Sequence, residues 1–497
     1  MGAAGPFLTI ASPNSKVRAP PLAAMVWAVS AAPLKITLLT PPERGHIYGR
    51  FEASAPRNPP LGLCYIAAVL ERAGGFDVEI LDCAARGIHR TALERHLAAR
   101  QPRLVGISAT TVQYNGARDA AHIARRACPG ATVVLGGAHL SAMMEAVLQE
   151  EECLDVGVYG EGELTFLRLA GRLRAGLSLA GLYGLLRRTS DGVVRERPRP
   201  ALRDIDQLPF PARHLLGDLE VYTPPMSRRV GRRTASVITS RGCPMRCAFC
   251  DQAIFGRTWR GHSARRVVAE LKHLREQHGV DSVTFEDDYF SCSRKRVIAI
   301  CDELRRQGLS LAWGCSVRCD TITDELLEAM RRAGCSYVYV GIESGSQRLL
   351  DLVGKGTTLE VVRQRIRQIK RHGLQVIGSA VVGFPTETRA EIEATVAFVL
   401  SLPIDGLSFF LFTPYPNTRT HRMAQQTGTL RQDWDLFSAH PSRLAYVPDG
   451  VPEDYLLRLQ RRVYLRFYLR PRFILTHLSM FLRPEFIVRA ARTLLSG

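Results

Sequence analysis

Apolar residues along this chain fall in short, nearly continuous runs separated by segments of helical periodicity, and that alternation occurs in two separate series. LKITLLT (34–40) is a short, mainly apolar run that stops at Pro41-Pro42, which predicts a strand ending in a loop. PPLGLCYIAAVLERAGG (59–75) has helical spacing and a Gly-Gly stop. DVEILDC, LVGISATT, ATVVLGGAH and DVGVYGEGE read as further strands, with helices around 90–100 and in NGARDAAHIARRAC. Strands apolar on both faces and alternating with helices mean a parallel sheet covered on both sides. Residues 35–170 are therefore expected to form a doubly wound α/β domain. Residues 171–235 are rich in Pro and Arg (RERPRPALRDIDQLPFPARHLL) and read as a linker.

The second series begins at ASVITS and runs through DSVTFEDD, LAWGCSVRCD, YVYVGIESG, QVIGSAVVGFP and GLSFFLFTPYP. It gives about six strand–helix units over residues 236–420, with polar or Gly-rich residues just after each strand. In a barrel of parallel strands those C-terminal ends form the active-site face, and six units suit a partial (β/α)6 barrel better than a closed one. Residues 421–497 read as a basic helical region. Residues 1–34 read as a flexible N-terminus, either disordered or preceding a true start at Met25.

With 497 residues, 46% of them hydrophobic, the chain has enough material for two or three cores. No stretch of about 18 or more apolar residues appears, and the nearest candidate, Pro20 to Leu39, is broken by Pro33 and Lys35, so no spanning helix is expected. The twelve cysteines sit mostly singly in apolar segments, as Cys64, Cys128 and Cys335 do, and read as reduced, buried thiols of a cytoplasmic protein. The net charge of +19 points to an anionic partner or surface. From Arg458 to Gly497 nine arginines accompany one acid, Glu485, and alternate with aromatics. Such helices either cover the open side of the barrel, with arginines snorkelling outward, or lie on the inner face of a membrane.

RGCPMRCAFCD (241–251) places Cys243, Cys247 and Cys250 on one short loop after a strand. A closed zinc site wants four ligands, so three thiols here need a distant fourth. The other reading is a [4Fe–4S] cluster, in which three thiolates leave one iron open.

The loop, with Phe249 just before its last cysteine, resembles the signature of radical S-adenosylmethionine (SAM) enzymes. That resemblance implies that Cys243, Cys247 and Cys250 hold the cluster and are catalytic, that the open iron chelates SAM, and that reductive cleavage of SAM yields a 5′-deoxyadenosyl radical. It also implies SAM-binding roles further along: Asp287 in FEDDYF for the amino group, Arg318 in SVRCD for the carboxylate, Glu343 in VGIESGS for the ribose, and Gly383 with Phe384 in VVGFPTET beside the adenine. Cys315 and Cys319, near the expected barrel mouth, read as structural cysteines or as a thiol hydrogen donor.

The first domain resembles the Rossmann-like cobalamin-binding domain of B12-dependent radical SAM proteins. PPLGLCYIAAVLE, VGISATT, VVLGGAH and YGEGE carry the likeness and make Gly62, Ser108, Thr110, Gly136, Gly137, Gly160 and Glu161 the expected cobalamin residues. Small residues at strand ends let a nucleotide tail enter between loop and sheet. The DxHxxG motif of other B12 proteins is missing, since Asp82 and His89 have the wrong spacing and His46 stands alone before a loop. The domain therefore either binds cobalamin without a histidine ligand or has ceased to bind it.

Together these features imply C-methylation of an unactivated carbon in a small-molecule or lipophilic natural product. The active site is expected between the barrel mouth and the first domain, and the electrons are expected from a flavodoxin- or ferredoxin-type donor. Oxidative cyclisation, as in the anaerobic magnesium-protoporphyrin monomethyl ester cyclase, and carbon-skeleton rearrangement or coupling share the same motifs. A tRNA-modifying role is disfavoured, because Cys64, Cys83, Cys128 and Cys153 are scattered and no RNA-binding barrel pattern follows.

Overall fold

The computed structural model describes residues 32–42, 57–222, 230–438 and 443–476. The expectations for residues 1–31, for His46 and for the last part of the basic tail (477–497) lie outside them.

The first domain follows the predicted alternation: β1 (Leu34–Thr40), α1 (Leu61–Ala73), β2 (Phe76–Asp82), α2 (Arg90–Arg100), β3 (Leu104–Ser108), α3 (Tyr114–Ala127), β4 (Thr132–Gly136), β5 (Val156–Val158) and α4 (Glu163–Arg174). The five strands are parallel, in the order β2-β1-β3-β4-β5. Strand order reverses between β1 and β3, so a crevice opens at the carboxyl ends beside Ser108, the position where open α/β sheets bind ligands.

The expected linker is more structured than its composition suggests. β6 (Leu185–Thr189) and β7 (Gly192–Arg195) form an antiparallel hairpin that extends the sheet beyond β5. Its turn, Ser190-Asp191-Gly192, has Gly192 at φ 117°, and its strands are half-exposed, which let arginines disguise an edge hairpin as a linker. The rest of the segment ties the domains together. The guanidinium of Arg213 is buried against Glu270 at 2.8 Å, and Tyr222 donates to Asp82 at 3.0 Å.

The second domain contains β8 (Thr234–Val237), α5 (Ala264–His278), β9 (Ser282–Phe285), α6 (Arg294–Arg306), β10 (Ala312–Val317), α7 (Asp324–Arg332), β11 (Cys335–Glu343), α8 (Leu359–Arg371), β12 (Gln375–Val382), α9 (Arg389–Ser401) and β13 (Gly406–Leu411). Its six strands are all parallel and sit side by side in chain order, a half-barrel. The helices that follow the strand-end loops start on Ser263, Ser293, Thr323, Thr358 and Thr388, whose hydroxyls accept from the third helical N–H. These caps set how long each active-site loop is.

The open edge of the half-barrel is closed by side chains. α10 (Glu453–Tyr468) buries Leu456, Leu459, Val463 and Phe467 against β13. Gln460 donates to the Phe409 carbonyl at 2.8 Å, Phe409 N donates to Tyr464 at 3.0 Å, and Tyr468 donates to the Leu407 carbonyl at 3.3 Å. For these residues the barrel-covering reading of the basic region holds. Arg458, Arg461, Arg462 and Arg466 lie exposed on the outer face. Among the described residues no helix is long and apolar enough to cross a membrane.

Candidate active site

The cysteine loop leaves β8 and is fastened at each step. Gly242 sits at φ 80°, and a Cβ there would stand 2.5 Å from the Thr258 carbonyl, so only glycine fits. Gln252 donates to the carbonyls of Cys243 (2.8 Å) and Met245 (3.1 Å), and Cys250 N closes a turn on Cys247 O at 3.2 Å. Ala248 N bonds the Val353 carbonyl at 2.8 Å, and Phe249 packs 5.9 Å from Phe384, anchoring the loop to the far side of the barrel.

The three thiols are neighbours in the electrostatic sense. Burial, followed by the charges of Cys247, Asp288 and Cys243, pushes Cys250 up to about 12. Cys250 is exposed by area but surrounded by protein on its other sides, and that crowding explains the rise. Burial also raises Cys243, with Asp288 and Cys247 adding to it. Among the described residues, the one set of three donor atoms within 4.8 Å of one another is His122, Glu151 and Cys153, on the first domain. That set supplies one thiol, whereas the loop supplies three, each within electrostatic reach of another. Three thiols and no histidine on one short loop suit an iron–sulfur centre with one iron left open, which would also stabilise the thiolates that burial disfavours.

Beside the loop, Arg318 makes a bidentate pair with Asp320 (3.0 and 2.7 Å) and donates to the Lys355 carbonyl at 2.7 Å. It lies within electrostatic reach of Cys247. Glu343 ends β11 at φ 63°, a strained value for a non-glycine residue, and binds Lys355 Nζ at 2.6 Å. Lys355, between Gly354 and Gly356, went unnoticed in the sequence; the signal was a lone lysine in a Gly-Lys-Gly turn. Gly383 takes φ 90°, and buried Phe384 packs 4.9 Å from Phe412. Cys315 and Cys319 are buried, as structural cysteines are.

Asp287 lies deeper than its neighbour Asp288. It is 4% exposed, and its carboxylate accepts from Thr239 N, Thr239 Oγ1 and Ser240 Oγ, each at 2.6 Å. Those bonds hold the segment that leads into the cysteine loop, and Asp287 does not line the cavity described below. The next residue, Asp288, is exposed, accepts only from Gly242 N (3.2 Å) among the hydrogen bonds described, and faces the cavity described next.

A cavity of about 370 Å³ lies between the domains. Gly62, Ser108, Gly136, Gly137, Gly160 and Glu161 line it from the first domain, and Asp251–Gly256 with Asp288 line it from the barrel. Gly62 would have nothing within 4 Å of an added Cβ, and Gly160, at φ 71°, would meet only the Ile254 carbonyl at 3.9 Å. Gly137 sits at φ 97°, with Ala109 O 2.6 Å from its missing Cβ. Thr110 is absent from the lining because its hydroxyl and N–H pair with Gln113 in a helix cap. Glu161 faces the cavity, but its carboxylate is held by Arg241 (2.7 Å) and Arg260 (2.6 Å). None of the described lining residues is a histidine. His139, just past the glycine pair, is buried and stacked on Tyr114 at 4.0 Å.

Comparison with known proteins agrees with both halves. Residues 52–170 match the B12 binding domain model, and residues 237–399 match the model of the radical SAM superfamily. An uncharacterized methyltransferase, PH0819, of Pyrococcus horikoshii is 35% identical over 92% of this chain and 97% of its own length. The chain belongs to the B12-binding radical SAM enzymes. The anaerobic magnesium-protoporphyrin IX monomethyl ester cyclase of Rubrivivax gelatinosus, 29% identical over 84% of this chain and 75% of its own, is a more distant relative. The fold matches the radical SAM methyltransferase TsrM of Kitasatospora setae, solved with tryptophan and a SAM analogue, at TM-score 0.66 and 22% identity over 88% of this chain and 89% of that one.

The family's cofactors are a [4Fe–4S] cluster, SAM and cobalamin, and the residues present fit them. Three mutually interacting thiols on one loop suit a cluster. The glycine-lined crevice, with room for a small molecule or one limb of a larger one, suits cobalamin.

Proposed function

We propose that this radical SAM enzyme methylates an unactivated carbon of a small molecule. The observation that carries the reading is the shared cavity: the B12-domain crevice and the segment directly after the last cysteine, Asp251–Gly256, are two walls of one space. When bound, the cluster and SAM supply an oxidant for a C–H bond and cobalamin supplies the methyl group.

The chain's own residues position and shield these groups. Cys243, Cys247 and Cys250 would take three irons and leave one for SAM. Arg318 would pair with the SAM carboxylate, as a planar guanidinium does best. Asp288, with no cation of its own among the described contacts, would receive the ammonium in place of Asp287. Glu343 keeps one carboxylate oxygen for ribose hydroxyls while Lys355 occupies the other. Gly383 and Phe384 would lie along the adenine, steadied by Phe249. Gly62, Ser108, Gly136, Gly137 and Gly160 would form the cobalamin cradle, and Leu63, Ile66 and Phe255 would keep water from the space between the cofactors. Electrons would come from a flavodoxin- or ferredoxin-type donor.

The test is anaerobic reconstitution with iron, sulfide and hydroxocobalamin, followed by metal analysis of wild type and the Cys243/Cys247/Cys250 triple alanine. Roughly four irons and one cobalt per chain, with only the iron lost in the mutant, support the reading. Iron without cobalt refutes methylation. The cyclase relative favours oxidative ring closure as a second reading, and product mass separates the two: methylation adds CH2, whereas ring closure adds no carbon.

A further inference from the structure

The cysteine loop is bracketed by two arginines that grip the same acid of the other domain. Arg241 stands two residues before Cys243, and Arg260 closes the loop as its partner in a short antiparallel pair. Arg241 Nη1 reaches Glu161 at 2.7 Å and its Nη2 reaches Glu163 at 2.5 Å, while Arg260 reaches the other oxygen of Glu161 at 2.6 Å. Both arginine side chains are at most 5% exposed. The Arg241 guanidinium also lies 5.1 Å from the ring centroids of Tyr65, on α1, and of Phe255, in the cysteine loop. Glu161 and Glu163 alternate with Gly160 and Gly162, which line the cavity.

Two positive and two negative groups, nearly dry, thus join the ends of the iron-binding loop to the glycine turn of the cobalamin crevice. A buried ion network of this kind is weak evidence of stability but strong evidence of register, because each partner is costly to leave unpaired. Arginine suits the place, since its planar fork spans two carboxylates and stacks on aromatic faces, neither of which lysine does.

We infer that the Arg241–Arg260–Glu161–Glu163 quartet is a positioning device that sets the separation and orientation of the cobalamin crevice relative to the cluster loop. This rests on the cofactor reading above. It assigns Glu161 to holding the other domain rather than to holding cobalamin.

The experiment uses the reconstituted full chain, with hydroxocobalamin reduced to cob(II)alamin, and measures the dipolar coupling between that spin and the reduced cluster by pulsed electron paramagnetic resonance. Arg241→Lys keeps the charge but not the fork; Glu163→Gln keeps the shape and an acceptor but not the charge. The expected result is wild-type iron and cobalt content in both variants with a shifted or broadened cobalt–cluster distance distribution, more so in Arg241→Lys. Full cofactor content with an unchanged distribution overturns the inference. So does loss of both cofactors together with cooperative unfolding in both variants, which would make the quartet a folding element only. Calorimetry of the apo chain is independent of the cofactors: the clamp predicts that the unfolding transition broadens or splits into two in Arg241→Lys. If wild type binds no cobalt, the cofactor reading fails, and this calorimetric result alone decides whether the quartet couples the domains.

Discussion

Glu387 follows the Gly383-Phe384 turn and is 1% exposed. One oxygen accepts from the N–H groups of Gly383 and Phe384, the latter at 2.9 Å, while the other has no hydrogen-bond partner. Burial lifts its pKa from the ordinary 4.5 to about 8, the two backbone bonds opposing and the Glu391 charge adding to the rise. The partnerless oxygen is the one free to carry the proton. In the unfolded chain the carboxyl ionises near its ordinary value, so between about pH 4.5 and 8 the folded state binds one proton more than the unfolded state. Stability contributed at this site is therefore greatest below the unfolded value and falls as pH rises, by at most about 1.4 kcal/mol per unit, flattening above about 8. Across the window the loss is on the order of 5 kcal/mol. Glu391 does not blur the signal: pairing with Arg348, against a burial penalty, holds it down to about 2, so it stays ionised throughout. Glu387→Gln keeps an acceptor for both amides and removes the titration. Urea unfolding of both proteins from pH 5 to 9, followed by near-ultraviolet circular dichroism, should show the variant gaining stability over wild type as pH rises. A difference that stays flat, or falls, refutes the argument.

Four other outcomes are expected. Gly137→Ala, forced to φ 97° with a methyl 2.6 Å from the Ala109 carbonyl, should lose about 2 kcal/mol or more and release hydroxocobalamin in a spectral titration. Glu343→Gln leaves Lys355 buried without its charge partner and should destabilise the barrel by about 3–5 kcal/mol in urea, with Glu343→Gln/Lys355→Met recovering part of it. Asp287→Ala strands three donors and should lower iron content on reconstitution, whereas Asp288→Ala should leave iron content intact and weaken SAM binding by calorimetric titration. Reversing Arg461, Arg462 and Arg466 to Glu should abolish any sedimentation with anionic vesicles while leaving the fold intact; vesicle binding that survives the reversal would place the contact elsewhere.

Fold class was legible because both series of strands are buried on two faces, leaving apolar runs that periodicity detects. The hairpin of β6 and β7 escaped notice because an edge hairpin with arginines on its exposed positions has a linker's composition. In the site, the cysteines and the glycines Gly137 and Gly160 stood out in the sequence, since a tight loop groups the thiols and positive φ values at those two positions favour glycine. Which of two adjacent acids, Asp287 or Asp288, faces the cavity could not be read there, because one step of backbone rotation past β9 decides it. The partners of Thr110 and Glu161 were hidden for a related reason. A hydroxyl near a strand end serves a cap as readily as a ligand, and an acid in a glycine turn gives no sign that its partners come from residues 241 and 260.

Edge closure by α10 has a consequence for assembly. A parallel half-barrel ends in a strand whose outward amides would accept a strand from any other chain, and here a glutamine and two tyrosines occupy those groups in its place. They satisfy individual hydrogen bonds but offer no continuing ladder, so a second copy finds no template along β13. Residues 453–468 therefore act as a stopper as well as a cover. Removing the helix to study the basic tail would yield chains that stack edge to edge.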